Sequence, residues 1–181
     1  MNSTIGMALM VTIITGLLTS CATAPASRTE QNALLAEAAS TLQQLRAEEP
    51  GVGGLVQRGY GYALFPTVTK GGLVVGGARG RGVVYARGQH IGYSELTQGS
   101  VGAQLGAETF SELLVFETKE ALDRFTAGQL NFAANASAVV LKRGVAADIP
   151  FVNGVAVVVH PTGGAMVEAS IGGQRFTYQP K

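Results

Sequence analysis

Residues 59–106 read GYGYALFPTVTKGGLVVGGARGRGVVYARGQHIGYSELTQGSVGAQLG. Branched and aromatic residues (Phe65, Val68, Leu73, Val74, Val75, Val83, Val84, Tyr85) alternate there with glycines. The former favour a pleated, half-buried surface. Glycine inside a strand marks a bulge, a bend or the close approach of another backbone. The run therefore predicts strongly bent strands, with some of Gly76, Gly77, Gly80 and Gly82 at crossings too tight for a side chain. A disordered glycine-rich linker would carry far fewer branched residues. Single basic residues, Lys70, Arg79, Arg81 and Arg87, punctuate the strand-like runs, and Glu95 is the only acid in the stretch.

Outward from this stretch the chain alternates short strands with two helices. Strands are expected over 62–65, closed by Pro66, which cannot donate to a ladder, then over 72–77, 82–87, 91–94, 100–105 and 111–116. Thr118 caps a helix over 119–127, with Gly128 at its end. Strands follow over 131–140 and 152–160, with a loop over 142–148 and a turn at 161–164. A terminal hairpin over 165–171 and 175–178 is joined by Gly172-Gly173. Upstream, Leu34, Leu35, Ala38, Leu42 and Leu45 make one stripe of a helix over 30–49, ended by Pro50-Gly51. Its polar side carries Glu30, Glu37, Glu48 and Glu49 against Arg46, so it suits packing on its own domain better than anionic lipid. The fold class expected is α+β: a mostly antiparallel, glycine-rich bent sheet with an N-terminal helix and a second helix near 119–127.

The N-terminus reads as an export signal. The apolar run from Ile5 to Leu18 has the length of a signal core and is too short to span a bilayer. Leu18-Thr19-Ser20-Cys21 resembles the bacterial lipobox, and Cys21 is the only cysteine of the chain. The division expected is a lipoprotein signal peptide over 1–20, a small-residue tether over 21–29 and a single domain over 30–181. Cys21 would then carry a diacylglyceryl thioether and an N-acyl (palmitate-type) group. Ala22 in place of an aspartate favours the outer membrane. The other readings are a plain secretory signal or an ordinary buried cysteine. The segment ahead of the apolar run, Met1-Asn2-Ser3-Thr4, has no Lys or Arg.

Composition narrows the chemistry. The chain has 181 residues, 14% charged and 46% apolar, enough for one domain with a real core. Its net charge of +1 gives no bulk attraction for nucleic acid. A single cysteine excludes an intrachain disulfide and a cysteine metal cluster. His90 and His160 are far apart and lack metal-ligand spacing. Gly92-Tyr93-Ser94-Glu95-Leu96 lacks the last glycine of a nucleophile elbow. Residues 76–82 fit neither phosphate-loop pattern. Glu95, Glu108 and Glu112 are the carboxylates from which an acid pair would have to come, and their spacing does not favour one. No enzyme, cofactor or metal is expected. The polar group with a chemical use is Lys70, Arg79, Arg81 and Arg87. Arg79 and Arg81 share a strand face, and arginine holds phosphate head groups by bidentate hydrogen bonds. Ordinary solvated charges that protect sheet edges are the other reading.

Several runs resemble the SYLF lipid-binding domain: Ala63-Leu64-Phe65-Pro66, Lys70-Gly71-Gly72, Val75-Gly76-Gly77, Gly80-Arg81-Gly82-Val83 and Tyr93-Ser94. The resemblance goes on through 100–106, Leu114-Val115-Phe116, 121–125 and 135–139, and covers roughly residues 52–178. It implies membrane-lipid binding, sometimes with actin binding in eukaryotic members, and no catalytic activity. The function expected is thus a lipid-anchored envelope protein that binds membrane lipid, with anionic head groups, at the periplasmic face. The alternative is a non-catalytic periplasmic interaction module.

Overall fold

The computed structural model describes residues 23–133, 138–140 and 149–181. The expected signal peptide, Cys21, and the 142–148 loop lie outside them. The fold is α+β, as expected, with α1 (Arg28–Glu48), α2 (Pro50–Arg58) and α3 (Lys119–Thr126) against one sheet.

The sheet is a set of nested hairpins. Innermost, β1 (Gly61–Gly72) pairs antiparallel with β2 (Val75–Ala86), with Gly72 opposite Gly76 at the tip. Next, β3 (Gln89–Phe116) runs along β2 as far as Val75↔Val101. It bends round the tip and returns along β1 from Gly72↔Gly106 to Gly61↔Phe116. Outermost, β6 (Val155–Pro180) follows β3 from Phe116↔Val155 to Gly92↔Pro180. Short β4 (Asn131–Ala133) lies antiparallel on the second half of β6, and β5 (Ala138–Val140) parallel on its first half. β4 and β5 thus supply a neighbour to each outer edge of the sheet.

The strands are far longer than the sequence suggests, because glycines and prolines that read as stops are bends inside continuous ladders. Gly102 and Gly106 carry φ of 147° and 124° where β3 turns, and Gly164 carries 81° where β6 turns. A Cβ on Gly106 would stand 2.3 Å from the Ala165 carbonyl, so only glycine makes that turn. Pro66 sits in a bulge where the register shifts between Leu64 and Thr67, a place that needs no amide donor. Gly172-Gly173 closes no hairpin: the two residues pair with Ser100 and Gly99 in mid-ladder. Pro50 occupies the first turn of α2, where its missing N–H costs nothing. The two helices that were expected form nearly as read, with Ser27 and Thr118 as side-chain N-caps.

Side-chain contacts show how the sheet curls. Phe65 of β1 and Phe176 of β6 are three strands apart, roughly 14 Å in a flat sheet, yet their rings lie 5.7 Å apart. The concave side therefore closes on itself. It holds Phe65, Phe116, Leu114 and Phe176, and α3 plugs its base with Leu122 and Phe125. A second core lies on the convex side, where Leu42 and Leu45 of α1 and Val52 and Leu55 of α2 cover Leu64, Val83, Leu113 and Val158. The helices cover only the base of that convex side; the half near the hairpin tips carries exposed residues.

Candidate functional site

The uncovered convex surface is laid out in rows by the register of β1, β2, β3 and β6. One row is Thr67, Arg81, Glu95 and Thr177. The next is Thr69, Arg79, Thr97 and Arg175. Then comes a row of glycine alone: Gly71, Gly77, Gly99 and Gly173. Beyond it Val75 pairs with Val101. Odd positions of β2 and β3 share this face because side chains alternate along a strand. The surface thus passes from arginine and threonine through bare backbone to aliphatic side chains. Rows two residues apart are about 7 Å apart, so the arginine row stands about 13 Å from the valine row.

The hairpin tip itself is apolar and open to solvent. Leu73, Val74, Val75, Val101 and Leu105 are each 65–70% exposed. The Gly102 N–H donates to the Val74 carbonyl and the Gln104 N–H to the Leu73 carbonyl, both at 2.9 Å, so β3 holds the tip rigidly. Beneath it the interior is polar. Lys70 pairs with Glu108 at 3.7 Å, and the Ser100 hydroxyl donates to Gln104 Oε1 at 3.0 Å. Deeper still, Gln174 Nε2 donates to Glu112 Oε2 at 2.9 Å. Burial pushes the Glu112 carboxyl up to about 7, against the smaller opposing effect of the Gln174 hydrogen bond. The raised value lets the carboxyl take up a proton more readily than an exposed one, which eases its burial in an apolar wall beside Phe110 and Leu114.

The four cations singled out in the sequence do not form one patch. Arg79 and Arg81 share the exposed convex face, as strand alternation required. Arg79 is ion-paired with the buried Glu95 carboxylate. Lys70 lies inside β1 with the opposite parity, 7% exposed, in the concave interior. Arg87 sits at the far end of β2, in the turn to β3 with φ 49°, its guanidinium 4.9 Å over the Tyr60 ring. Sequence reasoning missed Arg175, which the register of β6 sets across Thr97 from Arg79. A hairpin at Gly172-Gly173 would have put it elsewhere, and only the long ladder reveals it. Against Glu95 and against Glu37, whose carboxylate accepts from Thr67, the three arginines leave one positive charge on this face.

The other titratable residues stay apart. Glu95 is on the convex face and Glu108 and Glu112 on the concave one. His90 packs between Tyr85 and Tyr93, and burial lowers its pKa. His160 lies 3.4 Å from Glu48 Oε2, on the side where α1 ends. Among the described residues no group of three or more His, Cys, Asp or Glu could hold a metal ion.

In comparison with known proteins, residues 97–180 match the family described as Ysc84, Las17-binding protein actin regulator. The match supports a SYLF domain, spans β3 from Thr97 through β6, and so includes the outer hairpins and Arg175. No curated protein matches the chain.

Proposed function

We propose that this chain is an acyl-anchored envelope lipoprotein whose SYLF-like domain binds anionic membrane lipid through the graded convex face. The observation that carries the reading is the row order Arg79–Arg175, then four glycines, then Val75–Val101. A phospholipid presents the same sequence of chemistry: phosphate, glycerol backbone, acyl chain. The head-group zone of one leaflet is roughly 5–8 Å thick. With the aliphatic tip below that zone, the glycine row would meet the glycerol region and the arginines the phosphates. Arginine supplies planar paired donors for phosphate, and each exposed aliphatic transferred from water contributes on the order of 1 kcal/mol.

The tether supports the same orientation. The Thr23 hydroxyl lies 2.9 Å from that of Thr177, and the Ala24 N–H donates to Gln179 Oε1. A chain acylated at Cys21 would therefore leave the domain beside the arginine rows, on the side that faces the bilayer. The site differs from the one the sequence suggested: Arg79 and Arg81 stay in it, Arg175 joins them, and Lys70 and Arg87 drop out.

The test uses residues 22–181, which contain every helix and strand among the described residues, mixed with phosphatidylglycerol or phosphatidylcholine vesicles in a flotation assay. Binding should favour the anionic vesicles and fall with salt, since exposed charges are screened within about 8 Å at physiological ionic strength. Gly99→Glu places a carboxylate in the glycine row, where nothing lies within 4 Å of a Cβ. It should abolish flotation without lowering the Tm. Retained binding by Gly99→Glu would move the site elsewhere. Failure of the wild type to float with either vesicle would leave the protein-interaction module as the function.

A further inference from the structure

A cleft lies beneath α1 at the base of the convex side, with a volume of about 200 Å³. Its floor is carbon that is already covered: Leu64 and Val83 pair in register and are 1% and 0% exposed. What the cleft offers a ligand is polar side chains. Gln43 and Arg46 line it from α1, Tyr62 from β1 and Tyr85 from β2. The two tyrosine rings stack into one wall, with centroids 4.9 Å apart and planes 13° apart. None of the four polar side chains has a hydrogen-bond or ion-pair partner among the described residues. No acidic residue lines the cleft. Burial raises the pKa of both phenols, and at Tyr62 it outweighs the opposing charge of Arg46. Both hydroxyls therefore keep their protons at neutral pH and can donate.

We propose that this cleft binds a small hydrophilic oxyanion, a carboxylate or phosphate monoester carried on a short hydroxylated body. The charge follows from the lining. A guanidinium fork, two phenol hydroxyls and an amide can all donate to one group, and no carboxylate of the lining competes for them. The hydrophilic body follows from the floor, which leaves almost no open carbon for a hydrocarbon to cover. The size follows from the volume: water takes about 30 Å³ in the liquid, so the cleft holds roughly six waters, the room of a three-carbon polyol with one acidic group. The site is separate from the lipid-facing rows, which begin with Thr67 and Arg81 beyond the bulge at Pro66.

Glycerol 3-phosphate, glycerate and glycerol are the probes, since they share a three-carbon body and differ in the acidic group. Each is titrated at fixed ionic strength into isotopically labelled residues 22–181, and binding is read from backbone amide shifts by nuclear magnetic resonance. At least one anion is expected to saturate, with its shifts concentrated over 38–46, 62–64 and 83–85. Glycerol should bind at least about tenfold more weakly, the range of a charge-assisted hydrogen bond. The tighter of the two anions tells a phosphate site from a carboxylate site. Arg46→Gln, at an exposed helix position, should erase the preference over glycerol. Tyr62→Phe with Tyr85→Phe keeps the stacked rings and should weaken the anion severalfold. Absence of saturable shifts with both anions would overturn the proposal. So would equal affinity for glycerol, a comparison that needs no variant, or undiminished anion binding by Arg46→Gln. Shifts centred on Arg79, Arg81 and Arg175 would also overturn it, by placing the anion on the lipid-facing rows.

Discussion

Glu112 and Gln174 are four strands apart in the sheet, a span of roughly 19 Å if it were flat, yet their side chains hydrogen-bond at 2.9 Å across the concave interior. The contact crosses the inside of the curl and joins the inner return of β3 to the last strand of the chain. Glu112 Oε1 has no hydrogen-bond partner among the described residues, so the group is half satisfied in a closed space.

That geometry makes stability depend on pH in a defined direction. Burial raises the Glu112 carboxyl from the ordinary 4.5 to about 7 in the folded protein. The folded state therefore holds its proton more tightly than the unfolded state. Stability is greatest below about 4.5 as far as this group is concerned, falls as pH rises from 4.5 to 7, and levels off above. A shift of this size corresponds to on the order of 3 kcal/mol. Urea unfolding of wild type and Glu112→Gln between pH 4 and 8 isolates the effect, since the other titrating groups are common to both. The variant should gain on the wild type between pH 4.5 and 7 and no further above that. A constant difference between the two would show that Glu112 does not titrate there.

The glycines divide by face, and the division predicts which tolerate a side chain. Gly80 and Gly82 point inward: a Cβ on Gly80 would meet Val68 Cγ2 at 2.7 Å, and one on Gly82 would meet the Leu64 carbonyl at 2.6 Å. Their replacement by valine should cost at least 1–3 kcal/mol, the usual range for a crowded site. Gly77 points outward, and its nearest neighbour, the Gln98 carbonyl, stands at 3.3 Å. The sequence made Gly77 a candidate for a tight crossing, and a side chain there is crowded by one backbone oxygen, less severely than at Gly80 or Gly82. Thermal melts should rank Gly77→Val above Gly80→Val and Gly82→Val. The reverse order would invert the two faces of the sheet.

Arg79 and Arg81 look equivalent in the sequence and are not. Arg79 neutralises Glu95, which is only 5% exposed, whereas Arg81 stands free on the surface beside it. Arg79→Ala strands a buried carboxylate and should destabilise by about 1–2 kcal/mol, reduced from the fully buried case because the arginine itself is mostly solvated. Arg81→Ala should change the Tm by little. The double variant Arg79→Ala with Glu95→Gln should recover most of the loss. No recovery would mean that Arg79 acts through packing instead.

The proposed acyl anchor predicts a simple fractionation. Wild-type protein expressed in a bacterium with a lipoprotein pathway should sediment with membrane, and its intact mass should exceed that of the cleaved chain by the lipid increment. Cys21→Ser should abolish both. One acyl chain holds a protein only marginally, at about 0.8 kcal/mol per methylene, so a doubly or triply acylated Cys21 is needed for stable attachment. Unmodified wild-type protein in the soluble fraction would remove the anchor from the proposed function.

The sequence by itself determined the α+β class, two helices with the Thr118 cap of the second, and the strand character of residues 59–106. These are local properties: a stripe of Leu34, Leu35, Ala38, Leu42 and Leu45, a Thr118 cap, and alternation of branched residues. It also placed Arg79 and Arg81 on one face, since alternation is intrinsic to a strand. Even Glu112 was legible in part, because Phe110, Glu112, Leu114 and Phe116 share a parity. What only the tertiary structure decided is register and closure. Glycine and proline weaken local pairing wherever they fall, so sequence patterning cannot tell a bend within a 28-residue strand from the end of a short one. Pairing with β6 keeps the ladder continuous through those bends. That pairing alone aligns Gly77, Gly99 and Gly173, sets Arg175 across Thr97 from Arg79, and turns Lys70 away into the interior.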